Sequence, residues 1–133
     1  MVEQTLIIVK PDAVKRNLTG KILTRFERKG FQIVKLKMLN FTKDIAEVFY
    51  SDHKSKPFFS ELVSFITSGQ VVAAVIEANN AISTTRLMIG ATKSFEAAPG
   101  SIRGDFGLGI TDNIIHASDS KESFEKEVKV VFE

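Results

Sequence analysis

The chain has 133 residues, 44% of them hydrophobic and 26% charged, which is the size and composition of one globular domain whose core needs no staples. It contains no cysteine and two histidines, so disulfides, thiolate metal sites and a multi-histidine metal cage are excluded, and the metal it can use is a hard, oxygen-bound ion such as Mg²⁺ carried by phosphates. The 18 basic and 16 acidic residues leave a net charge of +2, too balanced to argue for a nucleic-acid or membrane partner by bulk electrostatics.

Met1 to Thr5 shows no basic segment followed by an apolar one, and Val71–Ile76, the longest apolar run, is far too short to span a bilayer. A cytoplasmic protein is expected. No linker, repeat or low-complexity tract interrupts the chain, so residues 1–133 read as a single domain.

Thr5–Val9 is a buried-strand run ended by Lys10-Pro11-Asp12. Thr19–Lys29 reads as a helix with Ile22, Leu23 and Phe26 on one face and Gly30 as its stop. Phe31–Leu39 is a strand whose apolar phase shifts between Ile33 and Leu36, which predicts a bulge near Val34. Thr42–Tyr50 reads as a short helix. Pro57 is placed to open another at its first position, with Phe58, Leu62, Phe65 and Ile66 turned inward and Gly69 after its end.

Gln70–Ile76 reads as a strand buried on both faces, and Asn80 as the N-cap of a helix running to Met88, stopped by Gly90. Thr92–Gly109 is a long irregular segment of the kind that is usually functional. Ile114-Ile115 makes a short strand, and Asp119 or Ser120 caps a last helix with Phe124, Val128 and Val131 inward. This order predicts an α+β, ferredoxin-like βαββαβ sandwich, a four-stranded, mostly antiparallel sheet covered by helices on one face.

The chemistry concentrates near the C-terminus. His116 lies between an apolar strand and a helix start, where an exposed imidazole meets the backbone N–H groups and partial positive charge that suit an anion. Imidazole is nucleophilic near neutral pH and can form a covalent phosphohistidine. Arg86, on an otherwise uncharged helical stretch, and Arg103, in the Pro99-Gly100 loop, are candidate bidentate phosphate clamps. Lys10 emerges at a strand end. Glu127 borders the inward stripe of the last helix, where it can orient the imidazole or stand as a solvated edge charge. Ser118 is open in the same way, as a partner to the site or an ordinary helix-start residue. Phe58 can stack on a base or belong to the core. Asn113 and Thr92 can donate to ribose or phosphate, or be plain loop polar groups. Tyr50 and His53, one turn apart, say little alone.

At these residues the chain closely resembles the nucleoside diphosphate kinase family. The resemblance runs from Thr5 to the C-terminus. It is carried by Ile8-Val-Lys10-Pro11-Asp12, Phe26-Glu-Arg-Lys-Gly30-Phe31, His53-Lys-Ser-Lys-Pro57-Phe58-Phe59, Ser68-Gly69-Gln-Val-Val, Arg86-Leu-Met-Ile-Gly90-Ala-Thr92, Pro99-Gly-Ser-Ile-Arg103-Gly-Asp-Phe106 and Asn113-Ile-Ile-His116-Ala-Ser-Asp-Ser120.

The resemblance implies homo-oligomers, tetramers or hexamers, and ping-pong transfer of a γ-phosphate from a nucleoside triphosphate, typically ATP, through a histidine to a nucleoside diphosphate. Carried over by position, His116 is the nucleophile, with Tyr50 close to it and Glu127 and Ser118 supporting it. Lys10, Arg86, Thr92 and Arg103 bind phosphates, Asn113 and Lys10 the sugar. Phe58 stacks on the base with Ile110 on its other face, and Mg²⁺ bridges the β- and γ-phosphates. Two positions depart from the family pattern. Ala117 replaces a glycine after the histidine, where its methyl is expected to crowd the imidazole, and Gln70 replaces a proline in a turn.

Overall fold

The computed structural model describes residues 2–133. Strand β1 (Val2–Val9) lies inside the sheet. The order is β2 (Gln32–Leu39), β3 (Val71–Asn79), β1 and β4 (Ile115–Ala117), with every neighbouring pair antiparallel. This is the expected ferredoxin-like α+β arrangement. β1 begins three residues before the predicted Thr5, because its ladder with β3 continues out to Val2 opposite Asn79. The register between β2 and β3 slips between Ile33 and Lys35, which places the expected bulge at Val34.

Among the described residues seven α-helices pack around the sheet: α1 (Pro11–Lys15), α2 (Thr19–Lys29), α3 (Lys43–Phe49), α4 (Phe59–Ile66), α5 (Ala81–Ile89), α6 (Ile102–Phe106) and α7 (Lys121–Phe132). They cover both faces of the sheet, not the single face expected. The reason lies in β1 and β3. Leu6 to Val9 and Val71 to Ile76 are apolar at every position and buried at every position, and a strand without alternation needs cover on both sides. On one side Ile7, Val9, Ala74 and Ile76 meet Ile22 and Phe26 of α2 and Ala81 and Ile89 of α5. On the other, Leu6, Ile8, Ala73 and Val75 meet Ala46 and Phe49 of α3, Ile66 of α4 and Val131 of α7.

Several local expectations change. Pro11 opens the five-residue helix α1 at its first position, where its missing N–H costs nothing, so the segment after β1 is helical rather than a plain stop. Helix α4 starts at Phe59, two residues after Pro57, with Phe58 at the N-cap and its ring exposed instead of turned inward. Asn80 precedes α5 but makes no side-chain cap; it sits in the left-handed region at φ 53°, and Glu3 Oε1 accepts the Ile82 N–H instead, at 2.8 Å.

The long segment 92–109 is not wholly irregular. It holds a 3₁₀ turn at Ser94–Glu96 and helix α6, capped by Ser101 Oγ on the Gly104 amide. Arg25 of α2 fixes α6 by an ion pair to Asp105 at 2.6 Å, and Arg16 Nη1 donates to the Phe106 carbonyl at 2.6 Å.

Phe26 is fully buried and meets Phe31 edge-on at 5.5 Å between ring centroids. Truncation to alanine leaves a cavity between α2 and the sheet. Phe26→Ala is expected to cost about 3–5 kcal/mol, read as a lower urea midpoint at unchanged slope.

Candidate active site

β4 comprises Ile115, His116 and Ala117, so His116 stands in the middle of the strand rather than beyond its end. Alternation decides what each residue faces. His116 pairs with Ile8 and turns toward the α3 and α7 side, its ring 5.1 Å from that of Phe49 and edge-on to it. Ala117 pairs with Ile7 and packs into the opposite core. The methyl expected to crowd the imidazole lies on the other face of the sheet.

The imidazole is held by α7. His116 Nε2 lies 2.9 Å from Glu127 Oε1, and the same oxygen accepts from Ser118 Oγ at 2.7 Å. Of the two readings open for Glu127 and Ser118, the structure places Glu127 against the histidine and Ser118 against Glu127. A carboxylate only accepts, so in the neutral ring this contact puts the proton on Nε2 and leaves the lone pair on Nδ1. Among the described residues no hydrogen bond engages that nitrogen. Tyr50 is buried behind the cluster, and burial together with the charge of Glu127 raises its phenol well above the ordinary range. The start of α7 is not open for an anion as expected. Ser120 Oγ accepts the Ser123 amide and Asp119 accepts from Ser123 Oγ at 2.7 Å, so the chain's own groups fill it.

The cationic groups come from three elements. Lys10, at the end of β1, is buried and donates from Nζ to Asn113 Oδ1 at 2.7 Å and to the Thr111 carbonyl at 3.1 Å. Burial first, and the nearby Arg103 charge second, lower its pKa to about 8. Arg103 of α6 is only 4% exposed, and three of its nitrogens donate to backbone carbonyls. Nε meets Asn113 at 3.2 Å, Nη1 meets Gly90 at 3.0 Å and Nη2 meets Ile115 at 2.7 Å. Burial, then the neighbouring Arg86 charge, lower its pKa to about 10. Arg86 of α5 donates from Nη1 to the Ala117 carbonyl at 3.1 Å. Among the described residues none of these three cations forms an ion pair.

Asn113 joins the parts, receiving Lys10 on Oδ1 and donating from Nδ2 to the Thr92 carbonyl at 2.9 Å. Thr92 itself is exposed, and it meets Asn113 through its backbone carbonyl. Phe58 and Ile110 both present exposed apolar surface, and Glu61 Oε1, one turn after Phe58, accepts from Thr111 Oγ1 at 3.3 Å. His53 joins the site unforeseen. Its ring lies between those of Tyr50 and Phe58, at 6.4 and 5.7 Å, with Nδ1 buried and unpartnered. The only signal in the sequence was its place between those two aromatics.

The family model for nucleoside diphosphate kinase matches residues 3–133. The chain belongs to the nucleoside diphosphate kinase family. It is 55% identical to a nucleoside diphosphate kinase of Methanocaldococcus jannaschii over 132 residues, 99% of this chain and 94% of the relative. It is 56% identical to one of Picrophilus torridus over 130 residues, 98% of this chain and 94% of the relative. Among solved structures it superposes on the Aquifex aeolicus enzyme with a TM-score of 0.96 at 51% identity, covering 100% of this chain and 96% of that one. It superposes equally, at 0.96 and 44% identity, on a Halobacterium salinarum nucleoside diphosphate kinase solved in complex with CDP, covering 100% and 89%.

Lys10 carries a stability signature. Its pKa is about 8 in the folded chain against an ordinary 10.5, so between those values the unfolded chain binds more protons. The cost of burying the charge is fully present below pH 8 and disappears as pH rises toward 10.5. The wild type is therefore expected to gain stability relative to Lys10→Met across that window, measured by urea unfolding of both proteins at about pH 7 and about pH 10.

Proposed function

We propose that His116 takes the γ-phosphate of a nucleoside triphosphate onto Nδ1 and passes it to a nucleoside diphosphate in a ping-pong cycle. The observation that carries this is the His116–Glu127–Ser118 chain, which commits Nε2 and leaves one ring nitrogen free. The chain is a phosphotransferase by its family, and its residues suit the reaction. The transferred phosphoryl group is anionic and loosely bonded in flight, so positioning and positive charge do most of the work.

In the first half-reaction the Nδ1 lone pair attacks the γ-phosphorus and the bond to the β–γ bridging oxygen breaks, releasing the diphosphate. In the second, the terminal oxygen of another diphosphate takes the phosphoryl group and the P–N bond breaks. Glu127 keeps the proton on Nε2 and balances the positive charge that the ring gains as Nδ1 is phosphorylated. Lys10, Arg86 and Arg103 face the transferred charge, with Thr92 as a further phosphate contact and Asn113 and Lys10 at the sugar. Phe58 and Ile110 hold the base by its faces. Stacking reads no base edge, which suits acceptance of many nucleotides.

Mg²⁺ fits this site as a companion of the nucleotide. Among the described residues no cluster of His, Asp or Glu has the make-up of a metal site, and Lys10, Arg86 and Arg103 are cations, so a hard divalent ion would be held through nucleotide oxygens and would supply neutralising charge there.

We further propose that residues 1–133 act as one cytoplasmic domain within a homo-oligomer, tetramer or hexamer. β2 is an edge strand with Leu36 and Met38 each 56% exposed, an apolar edge that a second copy would cover. No helix among the described residues is long and apolar enough to cross a membrane. Leu36→Lys is expected to shift the assembly toward smaller species in sedimentation velocity; an unchanged profile would point to another surface.

His116→Ala is expected to abolish phosphoenzyme formation while leaving nucleotide affinity within about three-fold of wild type. The measurement is incubation with γ-labelled ATP and Mg²⁺, then a chase with GDP. Acid-labile label that leaves as GTP supports the cycle. Label retained by the variant would remove His116 from its role.

A further inference from the structure

The residue two before the nucleophile has a backbone that its type rarely adopts. Ile114 is fully buried and β-branched, yet its φ is +77°. The Ile115 amide donates to the Asn113 carbonyl at 2.8 Å, an i to i+2 bond that closes a γ-turn on Ile114. This form of the turn is strained, and such strain persists only where surrounding contacts over-determine it.

Both backbone groups of Ile114 are held by one short stretch. Its carbonyl accepts from the Lys10 amide at 2.9 Å, and its N–H donates to Asp12 Oδ2 at 3.1 Å. The first contact is backbone and any residue supplies it; the second depends on one side chain. The other Asp12 oxygen, Oδ1, is buried without a partner, so the carboxyl gains no compensating bond there. Pro11 makes the placement rigid, because it starts α1 directly after β1 and puts Asp12 in the first helical turn.

We propose that Asp12 is a positioning residue for the transfer reaction: it holds the strained turn at Ile114 and so sets where the His116 imidazole stands relative to Arg103 and Glu127. This rests on the reading of His116 as the nucleophile. Without the carboxylate, the Ile114 amide is buried and unpaired and the turn loses the contact that opposes its relaxation. The strand that follows is only three residues long and paired on one side; Arg103 holds the carbonyls of Asn113 and Ile115 on either side of the turn, and Asp12 is the side chain that holds the amide of Ile114 itself. A shift of about 1 Å at a reacting group costs on the order of a hundred-fold in rate.

The test compares Asp12→Ala with Asp12→Asn, which keeps an oxygen acceptor at the same place. Asp12→Ala is expected to lower kcat by about ten- to a hundred-fold with nucleotide affinity within about three-fold of wild type, and Asp12→Asn to recover most of that loss. A folded Asp12→Ala enzyme with kcat near wild type would overturn the proposal. Equal loss of affinity and kcat would overturn it too, since Asp12 would then act on the nucleotide. Should the alanine variant not fold, hydrogen exchange at the Ile114 amide of the wild type decides: slow exchange supports the bond to Asp12, and exchange at the free rate refutes it. His116→Ala run alongside separates the two readings. If it still forms phosphoenzyme, the nucleophile is misassigned; if it is dead while Asp12→Ala is fully active, only the role of Asp12 falls.

Discussion

The backbone of residues 113–115 is gripped from outside by side chains and amides of distant segments, and the groups around the histidine take their positions from that grip. Arg103 reaches the carbonyls of Asn113 and Ile115 on either side of the turn, while Lys10 and Asp12 take the two backbone groups of the residue between them. The free energy comes from the core beneath. β1 is buried over its last five residues and paired on both sides, so the lysine at its end starts from a fixed point. Arg103 is fixed through α6, which Arg16 and Arg25 tie to the neighbourhood of α2. A side chain that binds three carbonyls is unlike a flexible phosphate clamp. It aligns the strand that carries His116, and two of its five N–H groups stay outside these three bonds.

The same arrangement stores electrostatic cost. Among the described residues Lys10 and Arg103 form no salt bridge, and each lies below its ordinary pKa because burial first and a neighbouring cation second disfavour its charge, only partly offset at Lys10 by the charges of Asp12 and Asp112. A structural role alone would favour paired or neutral groups. Cations held apart from counter-ions are what a polyphosphate needs, since its charge then meets preorganised donors and little has to move. An anion bound there would relieve the repulsion between Lys10 and Arg103, and part of the stability missing from the free chain would return with it.

Much of this was legible in the sequence, and the misses share a cause. Periodicity located α2 to the residue and phase placed the bulge at Val34, because both signals are local. The runs of β1 and β3 were read as buried, yet the second layer of helices did not follow from them, since no local pattern says which helix goes to which face. Glu127 and Ser118 stayed ambiguous for the same reason: their meaning lies in an oxygen shared across the gap between a strand and a helix. Arg103 was foreseen at the site, but its three carbonyl partners lie 10 to 13 residues away in sequence and leave no mark on it. Asp12 was hidden in plain view, read as the end of a strand when it begins a helix whose first turn faces the strained segment.

Strand β4 shows how little structure is needed to present His116. Its three residues alternate, so the imidazole and the Ala117 methyl part to opposite faces. The side of Ala117 is closed and apolar, packed with Ile7 and buried to 1% exposure, which explains a small residue there without reference to the chemistry. The side of His116 is half-open, flanked by Phe49 and Glu127. As the last strand of the sheet, β4 has a partner along one edge only, and access to the histidine comes at the cost of support along the other. That trade makes the external grip on residues 113–115 necessary. A nucleophile on an interior strand would be held by its ladders but covered by a neighbour, whereas one on a short edge strand stays reachable and must be fixed from the turn that leads into it.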